Sequence, residues 1–201
     1  MAKVHPQEQE STTSSQSHDD QCVSNKRERY TVWMKSLVLH SNGCTVYDSN
    51  GNIVYRVDNY DKKGGREVNL MNLKGNVICT IRKRLLALGC WEGHKYCNNS
   101  DSRSQEEQPW FHVKRYLTGK TACGIKVGSQ NLCIENISIG KSFGFRIINK
   151  NGQIIAEAKQ KQSSSGIVLS NDVLTLDLEA GTDHSLIMAL ITVYGLICGK
   201  M

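Results

Sequence analysis

The sequence predicts a mainly β fold: an antiparallel sheet of about twelve strands surrounding one buried, hydrophobic C-terminal helix. Two observations carry this. The stretch SLIMALITVYGLIC, Ser185 to Cys198, has no charged residue from Leu186 onward, and a helix apolar on every face must be enclosed on every face. Before it lie roughly 150 residues of short alternating segments punctuated by turns, at the spacing of a barrel or sandwich. A spanning helix needs about 20 apolar residues, so this run has the length of a core helix and the protein's own sheet is the expected surround. No transmembrane segment is predicted.

The chain divides at about residue 28. Residues 1–28 are rich in Gln, Glu, Ser and Thr, with too few apolar side chains to offset the entropy of ordering, and read as a disordered polar tail. Residues 29–201 form the folded domain. Tyr30 to His40 (YTVWMKSLVLH) opens it. A unit of strand, Gly-bearing turn and strand then appears at 45–59, 69–83 and 145–159. Asn-Gly at 50–51 and 151–152 marks two-residue hairpin turns, whose positive φ suits those residues.

CWEGHKY (90–96) and WFHVKRY (110–116) flank a polar surface loop, Cys97 to Pro109. ACGIKV (122–127), LCIENIS (132–138) and DVLTLDL (172–178) complete the strands. Closing the sheet would remove its edges. The helix occupies about 183–198, with Asp183 or Thr182 as its N-cap and Gly199 as its stop.

The segments TVYDSNGNIVYRVDNY, LMNLKGNVICTIRKR, IIAEAKQK and DVLTLDLEAGTDHSLIMALITVYG occur together in this order. They resemble the LURP-one-related family of plants, from about Tyr30 to the C-terminus. The resemblance implies a tubby-like domain, a closed twelve-stranded β-barrel threaded by the C-terminal helix. Its superfamily takes in phospholipid scramblases and the tubby proteins, which bind phosphoinositides. The family is named for an association with plant defence. The resemblance implies no catalytic residues, and the lipid-binding positions of tubby proteins match no motif here.

Net charge is +6, distributed unevenly. Residues 1–29 hold four basic and five acidic groups, which leaves 21 basic and 14 acidic groups in the remainder. A basic domain favours phosphate-bearing partners, lipid or nucleic acid. The tightest cluster is Arg82, Lys83 and Arg84; Lys114 and Arg115 form a second, and Lys35 stands alone. A barrel that brings the two clusters together would hold a phosphoinositide head group by charge-assisted hydrogen bonds. Solubilising charges at strand ends are the plainer account of the same residues.

Other motifs are incomplete. Gly140-Lys141-Ser142 would end a phosphate loop, but Glu135 stands where the first glycine belongs. Asp48-Ser49-Asn50-Gly51 begins like a calcium loop, whose twelfth position is here Asn59 in place of Glu, so it reads as a hairpin turn. Cys198-Gly199-Lys200-Met201 has the prenylation cysteine but not the aliphatic pair.

The eight cysteines show no C-x-x-C spacing, and the six histidines no ligand or nucleophile spacing, so neither a metal nor another cofactor is expected. Without a secretory signal the thiols are expected free, with Cys79 and Cys133 as small core residues. His94 and His112 are expected to face one another across a hairpin. Trp110, Phe111 and Tyr116 around Lys114 and Arg115 are the one aromatic–basic interleaving, and alternation places Phe111 and Val113 on one face and Trp110 and His112 on the other, so at least part of the set is core and nucleic acid is disfavoured.

The expectation is a non-enzymatic protein that docks reversibly on anionic membrane lipid, cytoplasmic and peripheral to a membrane, or nuclear. A scramblase-like membrane protein, a DNA-contacting regulator and a scaffold for other proteins are the alternatives.

Overall fold

The computed structural model describes residues 23–37, 42–59, 66–85, 89–96, 108–137, 144–163 and 165–201. Residues 1–22 of the polar tail, most of the Cys97–Pro109 loop, Gly140-Lys141-Ser142, and His5, His18 and His40 lie outside them.

Twelve antiparallel strands close into a barrel. In chain order they are β1 (Glu28–Trp33), β2 (Asn42–Tyr47), β3 (Ile53–Asn59), β4 (Glu67–Asn72), β5 (Val77–Lys83), β6 (Cys90–Lys95), β7 (Phe111–Arg115), β8 (Thr121–Val127), β9 (Gln130–Asn136), β10 (Gly144–Asn149), β11 (Ile154–Gln160) and β12 (Val173–Leu178). Each strand pairs with its neighbours in sequence, and β12 closes onto β1 with Tyr30 opposite Leu176 and Val32 opposite Leu174. Alternation sets the two faces. Val32, Leu70, Ile81, Val113, Ile134, Ile147 and Leu176 point inward and are fully buried, while the residues between them meet solvent.

The helix α1 (His184–Ile197) fills the interior, with eleven of its fourteen residues buried. Asp183 caps it by accepting a hydrogen bond from the Leu186 N–H at 3.1 Å, and Thr182 does not. At the far end Lys200 N–H donates to Gly195 O and Gly199 N–H to Leu196 O, with Gly199 at φ 63°. This is a Schellman stop, which the left-handed glycine permits. Tyr194 donates to the Asn136 side chain at the end of β9, which secures the phenol inside the barrel. Among the described residues no helix is long and apolar enough to cross a membrane.

The strands alternate in direction, so the barrel has two rims. The lower rim lies where α1 begins; the upper rim lies where it ends and holds the C-termini of β5 and β7. Residues 23–27, placed in the polar tail on composition, lie along the lower rim, where Val23 bridges to Asp183 and Gly181 N–H donates to Ser24 O.

Three lower-rim hairpins share one turn. In DSNGN, NLKGN and NKNGQ the fourth residue donates back to the first, at Gly51–Asp48, Gly75–Asn72 and Gly152–Asn149. A register shift accompanies each. The Asp or Asn that opens each turn also accepts backbone N–H groups through its side chain. These are three-residue loops with a glycine bulge, and they replace the two-residue turns expected from Asn-Gly. Asx side chains that bind the next backbone amides favour the longer turn.

Candidate functional site

The outer faces of β6 to β9 carry two lateral rows of residues. In the first, Cys90, Lys114, Gly124 and Cys133 are successive cross-strand partners. In the second, Glu92, His112, Lys126 and Asn131 stand in the same relation. Three of the four residues in the first row are small, so Lys114 rises from a low floor. The result is a cleft of about 470 Å³ whose lining includes Arg84, Lys114, Lys126, His112, Tyr116 and Asn131. Tyr116 folds over Gly124, where a Cβ would lie 2.5 Å from the phenol oxygen.

The charge balance of the cleft is positive. Glu92 is held by Arg84 at 3.2 Å and by His112 at 3.1 Å. Lys114 and Lys126 meet no carboxylate among the described residues. A guanidinium edge and two ammonium groups around a depression of this size suit a compact anion such as phosphate.

The five cations grouped on sequence do not all meet. Arg84 and Lys114 line the cleft. Arg82 turns to Glu67 at 2.6 Å. Lys83 falls on the inward side of the alternation, and its Nζ lies 5.9 Å from the centre of the Trp91 ring. Arg115 shares the side of Phe111 and Val113 and stands at the upper rim near Cys198. Lys35 is paired with Asp172 at 2.7 Å.

Two side-chain expectations are corrected. Cys133 lies on the outer face and lines the cleft, because β9 buries Leu132 and Ile134. Its burial is only partial, yet desolvation still raises the thiol above its ordinary value, helped by Glu135. Cys79 is a core residue as expected, its thiol pushed up to about 12 by burial. His94 does not face His112: the β6–β7 register puts Glu92 opposite His112 instead. Of the two faces that alternation separated, the one with Phe111 and Val113 is the buried one. Sequence reasoning missed Lys126 and the small-residue floor, since only the register across three hairpins shows that Cys90, Gly124 and Cys133 are neighbours of Lys114.

The sequence model of the LURP-one-related family matches residues 28–195, from the first residue of β1 to the last turns of α1. The chain belongs to the LURP-one-related family. Among its relatives, Protein LURP-one-related 4 of Arabidopsis thaliana is 44% identical over 99% of this chain and 88% of that protein. Protein LURP-one-related 11 of the same plant is 37% identical over 98% of this chain and 89% of that one. The X-ray structure of an Arabidopsis thaliana protein superposes with a TM-score of 0.56, covering 86% of this chain and 92% of that chain at 13% identity, which speaks for the fold alone. In this LURP-one-related protein the cleft therefore sits on the outer face of a family barrel.

Proposed function

We propose that this LURP-one-related protein is a non-enzymatic binding protein that docks on anionic membrane lipid, with the β6–β9 cleft receiving the phosphate-bearing head group. One observation carries the reading: Lys114 and Lys126 stand over a floor of small residues with no carboxylate to neutralise them among the described residues. A solubilising lysine needs no depression around it, whereas a head group does. Arg84, held in place by Glu92, adds a planar pair of donors at the edge. Docking of this kind is reversible and weakens with salt. The relatives' names carry no statement about lipid, so the cleft is the support.

Co-sedimentation with vesicles tests it. Phosphatidylcholine alone, with phosphatidylserine, and with a phosphoinositide are compared at low and moderate salt. Binding to the anionic vesicles that weakens with salt is expected, and Arg84→Glu with Lys114→Glu should abolish it. Arg82→Glu should do much less, because Arg82 is already paired with Glu67. Equal binding by the Arg84/Lys114 variant would remove the cleft from consideration.

A further inference from the structure

The two rims of the barrel differ in what their loops expose. On the upper rim, every connection with described tip residues carries a bare aliphatic side chain: Leu37 after β1, Leu85 after β5, Leu117 after β7, and Ile167, Val168 and Leu169 between β11 and β12. Leu117 is 87% exposed, Leu85 73% and Ile167 67%. Scattered exposed leucines are ordinary on a protein surface, and the lower rim has its own at Leu73, but six exposed aliphatic side chains on the loops of one rim form a set.

Local structure holds them outward. Tyr116 N–H donates to Ala122 O while its ring covers Gly124, which leaves Leu117 to project. Ile167 sits on a small turn closed by Ser163 N–H to Ile167 O and Gly166 N–H to Ser163 O.

The upper rim is also basic. Lys83, Lys114 and Arg115, at or just below the upper rim, meet no carboxylate among the described residues. The acids on that side are already engaged, Glu67 by Arg82, Glu135 by Lys120 and Arg146, and Asp172 by Lys35. The lower rim carries both signs, Glu28, Asp48, Glu179 and Asp183 beside Arg27, Arg29, Lys74 and Lys150, and its hairpins are the Asx turns. Its exposed apolar side chains include Leu73 and Tyr96.

We propose that the barrel docks on an anionic membrane leaflet by its upper rim, with Leu85 and Leu117 entering the lipid. The proposal rests on the lipid reading of the cleft and supplies its orientation. Leu85 follows Arg84 and Leu117 follows Tyr116, and both preceding residues line the cleft. Tips that enter the acyl boundary would bring the Arg84, Lys114 and Tyr116 end of that cleft to head-group depth. Apolar insertion beside cations is how a peripheral protein combines the two attractions of an anionic interface.

The test uses the full chain, vesicles of phosphatidylcholine with phosphatidylserine, and a soluble inositol trisphosphate. Leu85→Ser with Leu117→Ser should weaken vesicle partition about tenfold, since two exposed leucines lose their transfer into lipid, with trisphosphate affinity unchanged. Leu73→Ser with Tyr96→Ser, on the lower rim, should stay within about twofold of the wild type on vesicles. Both pairs are exposed, so neither variant loses core packing. Wild-type partition by the Leu85/Leu117 variant, or a loss confined to the Leu73/Tyr96 variant, overturns the proposal. Vesicle binding without trisphosphate binding would sink the cleft reading and leave the rim to be judged by the leucine pair. Absence of vesicle binding at low salt overturns both.

Discussion

Gly93 on β6 and Phe111 on β7 are cross-strand partners, and the Phe111 ring fills the space that a Gly93 side chain would take. A Cβ on Gly93 would lie 2.1 Å from the ring, with Phe111 fully buried. Gly93→Ala should therefore destabilise the barrel by about 1–3 kcal/mol through overpacking. Adding Phe111→Leu should recover part of that loss, a non-additivity that chemical denaturation of the four-variant cycle would measure.

Leu190 lies at the centre of α1 with no exposed surface. Leu190→Ala should cost about 2–5 kcal/mol, depending on how far the barrel relaxes around the void. Leu190→Asp should leave no folded protein, because the carboxylate would be buried without a partner. A soluble Leu190→Asp variant with native circular dichroism would contradict an enclosed helix.

The Lys35 ammonium beside Asp172, with help from Ser170, brings that carboxyl down to about 2 from 3.8. A carboxylate depressed in the folded state adds stability above its unfolded value, and that stability is lost as pH falls through the folded one. Stability should therefore decline between about pH 4 and pH 2, by about 1–2 kcal/mol from this pair once the exposure of Lys35 is discounted. Asp172→Asn should be less stable at neutral pH and should show a shallower acid decline, measured by urea denaturation across that range.

Gly51 and Gly152 occupy φ 85° and 77°, and nothing lies within 4 Å of a Cβ at either. The cost of Gly51→Ala or Gly152→Ala is then purely conformational, about 1 kcal/mol each. Asn at the same positions should cost less, because it tolerates the left-handed region. Thermal melts of the four variants would show whether the order Gly, Asn, Ala holds.

What the sequence determined by itself is the part of the structure written in local periodicity. Alternation located most of the strands, although the opening segment Tyr30 to His40 overran β1 and the unit at 45–59 began inside β2, and it placed Phe111 and Val113 together on one face. The uncharged run up to Cys198 marked a helix that must be enclosed, and Asp183 and Gly199 bounded it, since caps are local chemistry. Local pattern reads poorly wherever two side chains compete for one backbone. The Asx residues of DSNGN and NKNGQ drew each Asn-Gly turn into a longer loop than the dipeptide suggested.

Only the tertiary structure decided which residues share a patch. Lys83 and Arg84 are adjacent in sequence, but a period of two sends them to opposite faces, and Arg82 is taken by Glu67 from the preceding strand. Cys90, Lys114, Gly124 and Cys133 are far apart in the chain and become one row through the registers of three hairpins. The rim to which Leu85 and Leu117 belong follows from strand direction, a property of the closed sheet. Cleft and rim both arise from contacts between strands, and no window along the chain contains them.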